Sequence, residues 1–142
     1  MTTTGAPAAS RTSFVVTGLV ASAVAASATG LAALLAQAVG VDFDVVDGQT
    51  IPVPGFVVVA GFFSLVGVLV AAAFRRWSAR PAVLFVRTAV ALTVVSLIPP
   101  LVSGAAAATV VALVVLHLVP AAVMIPVLAR SLSGQGLRAT AP

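Results

Sequence analysis

The sequence predicts an all-α membrane protein, a four-transmembrane-helix antiparallel bundle with a short extracytoplasmic β-hairpin between helices 1 and 2. Three observations lead there. Of the 142 residues, 61% are hydrophobic and only 7% are charged, whereas a soluble domain carries roughly 25% charged residues to cover its water-facing surface. Four apolar segments are each long enough to cross ~30 Å of hydrocarbon, and polar connections separate them. The basic residues are all arginine, and all but one fall in the tails or in a single loop.

Taken in order, residues 1–13 are small, polar and proline-containing, which predicts a disordered cytoplasmic tail. Residues 14–38 form the first span. Within it Gly18, Ser22, Ala26 and Gly30 recur every fourth residue and make a ridge of small side chains along one helix face, where another backbone can approach closely. Arg11 ahead of this segment also fits a cleaved signal peptide. The apolar run, however, outlasts the ~7–15 residues of such a leader, so a retained span is expected.

Residues 40–54 are the one polar connection of any length. Val41, Phe43 and Val45 alternate with Asp42 and Asp44, and Asp47-Gly48 supplies a turn pair that tolerates positive φ, so a hairpin is expected. The acidic residues of the chain, Asp42, Asp44 and Asp47, are all here. Calcium wants about six oxygens or more, and alternation separates the strand carboxylates from the turn, so these are expected to be solvated charges and no metal site is assigned.

The second span covers residues 56–74 and the third 81–98, joined by the basic turn Arg75-Arg76-Trp77-Ser78-Ala79-Arg80. Pro81 opens the third span where a missing N–H costs nothing, and Pro99-Pro100 are expected to force the chain out of helix. The fourth span is 105–128, completing a transmembrane domain over 14–130, and 131–142 is a polar cytoplasmic tail.

Arg11, Arg75, Arg76, Arg80, Arg130 and Arg138 all flank the same side of the four spans, while the first and third loops carry no Arg or Lys. Positive charge is retained on the cytoplasmic side. The expected location is therefore the inner (plasma) membrane, multi-pass, with both termini cytoplasmic, the hairpin outside, and Arg75, Arg76 and Arg80 as a cytoplasmic positive anchor. Arg87 lies about two turns into the third span and is expected to snorkel inward or meet an anionic lipid or partner subunit.

Composition excludes several chemistries. Mean hydropathy is +1.25 and the pI is about 11.9, but the arginines form no patch or stripe, so nucleic acid is not an expected partner. Without cysteine there are no disulfides, thiolate metal sites or cysteine nucleophiles. What remains is a set of polar groups at mid-membrane depth. Ser27, Ser64, Thr93 and His117 each lie ~8–12 residues in from an outer helix end, ~12–18 Å deep, and make a candidate midplane polar site.

Pro120 frees the Leu116 carbonyl beside His117, the single histidine of the chain. The imidazole is expected either to bond across the bundle to Thr93 or Ser64 and that carbonyl, or to serve a channel or carrier for a small solute or a proton. No carboxylate lies inside a span to orient His117 as a base or to couple ions, so an enzyme is not expected. Haem with paired axial histidines would need a second copy of the chain, because Met124 lies two turns away on the same face.

Gly40-Val41-Asp42 follows the first helix, Gln49-Thr50 precedes the second, and Ser96-Leu97 with Pro100 closes the third; His117-Leu118, Ile125-Pro126 and Ala129-Arg130 mark the fourth. In this order they resemble an uncharacterised family of small actinobacterial four-helix integral membrane proteins, a domain of unknown function. The likeness covers residues 14–130. It implies a fold and a membrane location and supplies no activity.

The function expected is that of a non-enzymatic membrane protein acting through helix–helix association or as a small subunit. Its partners would be the lipid bilayer and a further copy of the chain or a larger membrane protein, with no cofactor. A channel or carrier built on His117, and a haem- or quinone-binding protein, are the alternatives.

Overall fold

The computed structural model describes residues 6–45 and 49–139, with side chains over 12–45 and 49–134. The elements are α1 (Ala6–Ala38), β1 (Asp44–Val45), β2 (Gln49–Thr50), α2 (Val53–Trp77), α3 (Pro81–Ser96), α4 (Ile98–Leu101) and α5 (Ala107–Ala139). Four stretches are long and apolar enough to cross a membrane: Thr12–Ala38, Val53–Trp77, Pro81–Leu101 and Ala107–Gly134. The chain is a multi-pass membrane protein of four packed antiparallel helices. α1 packs along both α2 and α5, while α3 rests chiefly on α5, so α1 and α3 occupy opposite corners.

Local chemistry sets the helix ends. Gly40 takes φ 91° after α1, and Gly40 N–H donates to the Gln37 carbonyl (2.9 Å) and Val41 N–H to the Ala36 carbonyl (3.0 Å). This reciprocal pair closes a helix through a left-handed glycine and satisfies carbonyls that would otherwise be orphaned. Pro54 and Pro81 sit in the first turns of α2 and α3, where their fixed φ is already helical.

Three expectations about boundaries change. The first helix starts at Ala6 rather than Phe14, because the alanines and serines ahead of the span are compatible with helix and Pro7 falls in its first turn; residues 1–5 of the expected tail lie outside the described residues. α5 likewise continues through the expected tail to Ala139. α3 ends at Ser96, just ahead of Pro99-Pro100 as expected, but the chain then re-enters helix, since both prolines lie in the first turn of α4, the one part of a helix where proline is at home.

The hairpin is present and shorter than its pattern. β1 and β2 are antiparallel, pairing Asp44 with Thr50 and Val45 with Gln49. The Asp47-Gly48 turn lies outside the described residues. The Thr50 hydroxyl donates to the Asp44 carboxylate across the pair.

Burial over 41–45 alternates as expected, with Asp42 and Asp44 exposed and Phe43 buried, but Phe43 is not in strand conformation. It adopts φ 52°, a left-handed conformation that is costly for an aromatic residue. What compensates is burial: Phe43 is fully enclosed at the end of the bundle with Ala33, Leu113 and Leu116, and its ring packs on Phe56 at 4.8 Å between centroids.

The Gly18–Gly30 ridge lies against α2. A Cβ on Gly18 would come within 2.8 Å of Val68 Cγ1, and one on Gly30 within 2.7 Å of Val57 Cγ2. Between them Gly61 of α2 faces Ala26, where an added Cβ would meet the Ala26 methyl at an ordinary 3.7 Å. Beside the ridge a second line of small residues, Ala21, Ala25, Thr29 and Ala33, is buried and joins core clusters with Leu128, Leu113 and Leu116 of α5. α1 is thus the most enclosed span, with 33% of its apolar window buried, against 6% for α3.

Candidate functional site

Small residues bring α1 and α2 together, but α2 and α3 part. Between α2, α3 and α5, with α1 behind them, is a cavity of about 290 Å³, near the lower end for small-molecule sites and equal to about ten waters of liquid volume. Its walls are mainly apolar: Phe56, Phe63, Phe85, Leu92 and Met124. Gly67 forms part of the wall, and a Cβ placed on it would meet nothing within 4 Å. The missing side chain is therefore part of the empty space.

Val59, Phe63 and Leu92 line the cavity and are yet 54%, 64% and 57% exposed. The mouth accordingly opens sideways between α2 and α3, toward the hydrocarbon. Pro120 of α5 is part of the lining one turn from His117. A proline inside a helix removes one N–H bond of the ladder.

Ser64, Thr93 and His117 line this cavity, as do Thr29, Thr88 and Ser96. Ser27 does not: it is exposed on the outer side of α1. Depth alone placed it in the polar layer, but two residues are ~200° around a helix, so Thr29 faces inward while Ser27 faces out. Ser96, three residues beyond Thr93, shares its face of α3, a signal available in the sequence once Thr93 is assigned to the interior, whereas Thr88, five residues before it, lies ~140° around the helix and carried no such signal.

The expected cross-bundle network is not what the polar groups form. Thr29 Oγ1 donates to the Ala25 carbonyl (2.8 Å), Thr93 Oγ1 to the Ala89 carbonyl (2.8 Å) and Ser96 Oγ to the Thr93 carbonyl (2.7 Å). His117 Nδ1 lies 2.7 Å from the Leu113 carbonyl rather than bonding Thr93, Ser64 or the Leu116 carbonyl. Each group takes a carbonyl of its own helix, which is already in place and requires no alignment between helices.

Two groups remain uncommitted. A carbonyl oxygen only accepts, so the His117 Nδ1 contact puts a proton on that nitrogen, and the tautomer with that single proton offers the Nε2 lone pair. Ser64 Oγ is buried and has no hydrogen-bond partner among the described residues. The cavity thus presents one spare acceptor and one spare hydroxyl in apolar surroundings.

The arginine end is separate from this cavity. Arg75 stacks on the buried Phe14 ring, its guanidinium carbon 4.9 Å from the centroid, while Arg76 and Arg80 are exposed. At the opposite end Asp42 and Asp44 are exposed on the hairpin.

The comparison with curated proteins and that with solved structures give no match. The sequence does match a family model, described as Family of unknown function (DUF6069), over residues 9–134. That match takes in all four spans, the hairpin and every wall of the cavity, and so the chain belongs to the DUF6069 family of unknown function.

Proposed function

We propose that this protein is non-enzymatic and holds a small, largely apolar molecule in the cavity around His117, admitted sideways from the lipid between α2 and α3. The observation that carries this is the unpartnered Ser64 hydroxyl in an apolar cavity that His117 also lines. A buried hydroxyl without a partner costs ~1–3 kcal/mol, and a ligand bearing a hydroxyl or carbonyl removes that cost. A hydroxyl group accepts from Ser64 and donates to His117 Nε2.

Catalysis has little support: no hydrogen bond joins Ser64 to His117, and the ring is held by a backbone carbonyl instead of a carboxylate. Proton or cation transport has no acidic side chain in any span to work with. A quinol head group belongs to the proposed ligand class, while haem lacks a second axial ligand in one chain.

Solvent extraction of the purified protein followed by mass spectrometry tests the proposal. The expected result is a near-stoichiometric lipophile with a hydroxyl or carbonyl group, absent from a folded Gly67→Leu variant whose added side chain fills the cavity. Wild-type protein without such a molecule, or equal recovery from both, overturns it.

For location we propose the inner membrane, with both termini cytoplasmic and the hairpin outside, on the one-sided placement of arginine. A cysteine replacing Asp47 should react with an impermeant reagent in intact cells and one replacing Ser78 should not; the opposite pattern reverses the threading.

A second reading, association with another copy or a larger membrane protein, draws on α3, whose apolar window is only 6% buried. The Gly18–Gly30 ridge is already occupied by α2, so the partner would cover α3. Because the chain has no cysteine, Val90→Cys gives a single exposed thiol on α3. Disulfide-linked dimers in native membranes support a second copy there, and their absence removes a self-associating α3 face.

A further inference from the structure

The turn between α2 and α3 forms part of a second, more open recess, a groove of about 640 Å³ lined by Phe74, Trp77, Arg80, Val83, Leu84 and Arg87. Trp77 is 78% exposed at the end of α2, the position an indole takes at the headgroup level of a bilayer. Arg80 precedes the first turn of α3, and Arg87 lies on α3 six residues beyond Pro81, ~9 Å deeper along the helix. Arg80, just ahead of the helix, and Arg87, within it, both line the groove.

Among the described residues no acidic side chain compensates the charge at this end of the protein. The acidic side chains, Asp42, Asp44 and Asp47, all belong to the connection at the far end of α2, a helix of 25 residues and so ~37 Å long. A guanidinium at the depth of Arg87 is costly in hydrocarbon unless an anion or water meets it. Two such groups above apolar walls fit an anion that is itself attached to an apolar chain.

We propose that the groove at the α2–α3 turn binds an anionic phospholipid, its phosphate held between Arg80 and Arg87 and an acyl chain lying against Phe74 and Leu84. The guanidinium fork suits phosphate oxygens, and the open side of the groove lets the remaining chain stay in the bilayer. This site is independent of the cavity around His117.

Native mass spectrometry of the full chain in detergent, with phosphatidylglycerol or phosphatidylcholine of identical acyl chains, tests the assignment. The wild type should prefer phosphatidylglycerol by about thirtyfold, the weight of two arginines near a membrane surface. Arg80→Gln with Arg87→Gln should reduce that preference to about twofold or less, Arg80→Lys with Arg87→Lys should keep most of it, and Arg130→Gln, outside the groove, should leave it unchanged. A wild type without preference overturns the proposal, as does equal loss in Arg130→Gln or a lysine pair that fails as fully as the glutamine pair. Displacement of the lipid by millimolar inorganic phosphate overturns it in favour of a soluble anion.

Discussion

α2 makes two seams, and they differ in kind. Against α1 it is so close that Gly18 and Gly30 leave no room for a methyl group beside Val68 and Val57. Against α3 it stands away, and Gly67 opens onto empty space. Gly18 of α1 and Gly67 of α2 therefore do opposite things: one leaves the facing Val68 within 2.8 Å of where a Cβ would stand, while the other enlarges a cavity. A glycine permits close approach, but whether approach occurs depends on what the neighbouring helix presents. α1 presents Gly, Ser and Ala; α3 presents Phe85, Leu92 and Thr93. In a bilayer, where no hydrophobic drive separates helix from lipid, this difference in contact decides which helices are held tightly.

The contrast can be broken most severely at Gly30. Gly30→Leu should cost about 3 kcal/mol or more by driving α1 from α2, since its Cβ would already lie 2.7 Å from a stiff valine. Leu34→Phe, at a 54% exposed position on the same helix, should stay within about 0.5 kcal/mol. Thermal unfolding in detergent compares the two, and equal effects would mean the close seam contributes no more than composition.

On the open seam the expected sign reverses. Ser64→Ala removes a hydroxyl that has no partner and should stabilise the ligand-free protein by about 1 kcal/mol, while lowering recovery of the bound lipophile. A destabilised alanine variant would show that the hydroxyl has a partner in the empty state. Gly67→Ala has no clash to overcome and should gain up to ~1 kcal/mol in helix propensity, where Gly18→Ala should lose stability. A melting temperature lowered by Gly67→Ala would contradict the open seam.

The smallest effect is expected at His117. A ring bonded across the bundle would strand its partners on removal and cost ~1–3 kcal/mol. Its Nδ1 instead bonds Leu113 of its own helix, so His117→Leu and His117→Gln should both cost below ~1 kcal/mol. They should separate on ligand recovery, which Leu abolishes and Gln, with an amide oxygen as acceptor, partly keeps. A Leu variant destabilised by more than ~2 kcal/mol would restore the cross-bundle bond.

Much of the fold was legible in the chain itself. The four spans, the glycine stop at Gly40, the proline-opened helices and the hairpin pairing all depend on residues close together in sequence, where hydropathy and local backbone preference act directly. The ends of α1 and α5 were less legible because polar residues of good helix propensity extend a helix beyond the hydrocarbon. At Pro99-Pro100 the break was legible and the short helix beyond it was not, because proline both interrupts the helix before it and can open the next.

The sequence alone determined a chain of four apolar helices with its acids at one end and its arginines at the other, since hydropathy and charge are sums over neighbours in the chain. Which face of each helix turns inward was decided only in three dimensions. Ser27 and Thr29 lie ~80° to either side of the ridge line set by Ala26 and Gly30, so that ridge could not choose between them. α5, packing beside α2 on the Ala21–Ala33 line, buried Thr29 and left Ser27 outside. The same holds for the cavity: Ser64, Gly67 and His117 acquired a common space only because α3 stands off from α2, a distance that depends on side chains far apart in sequence.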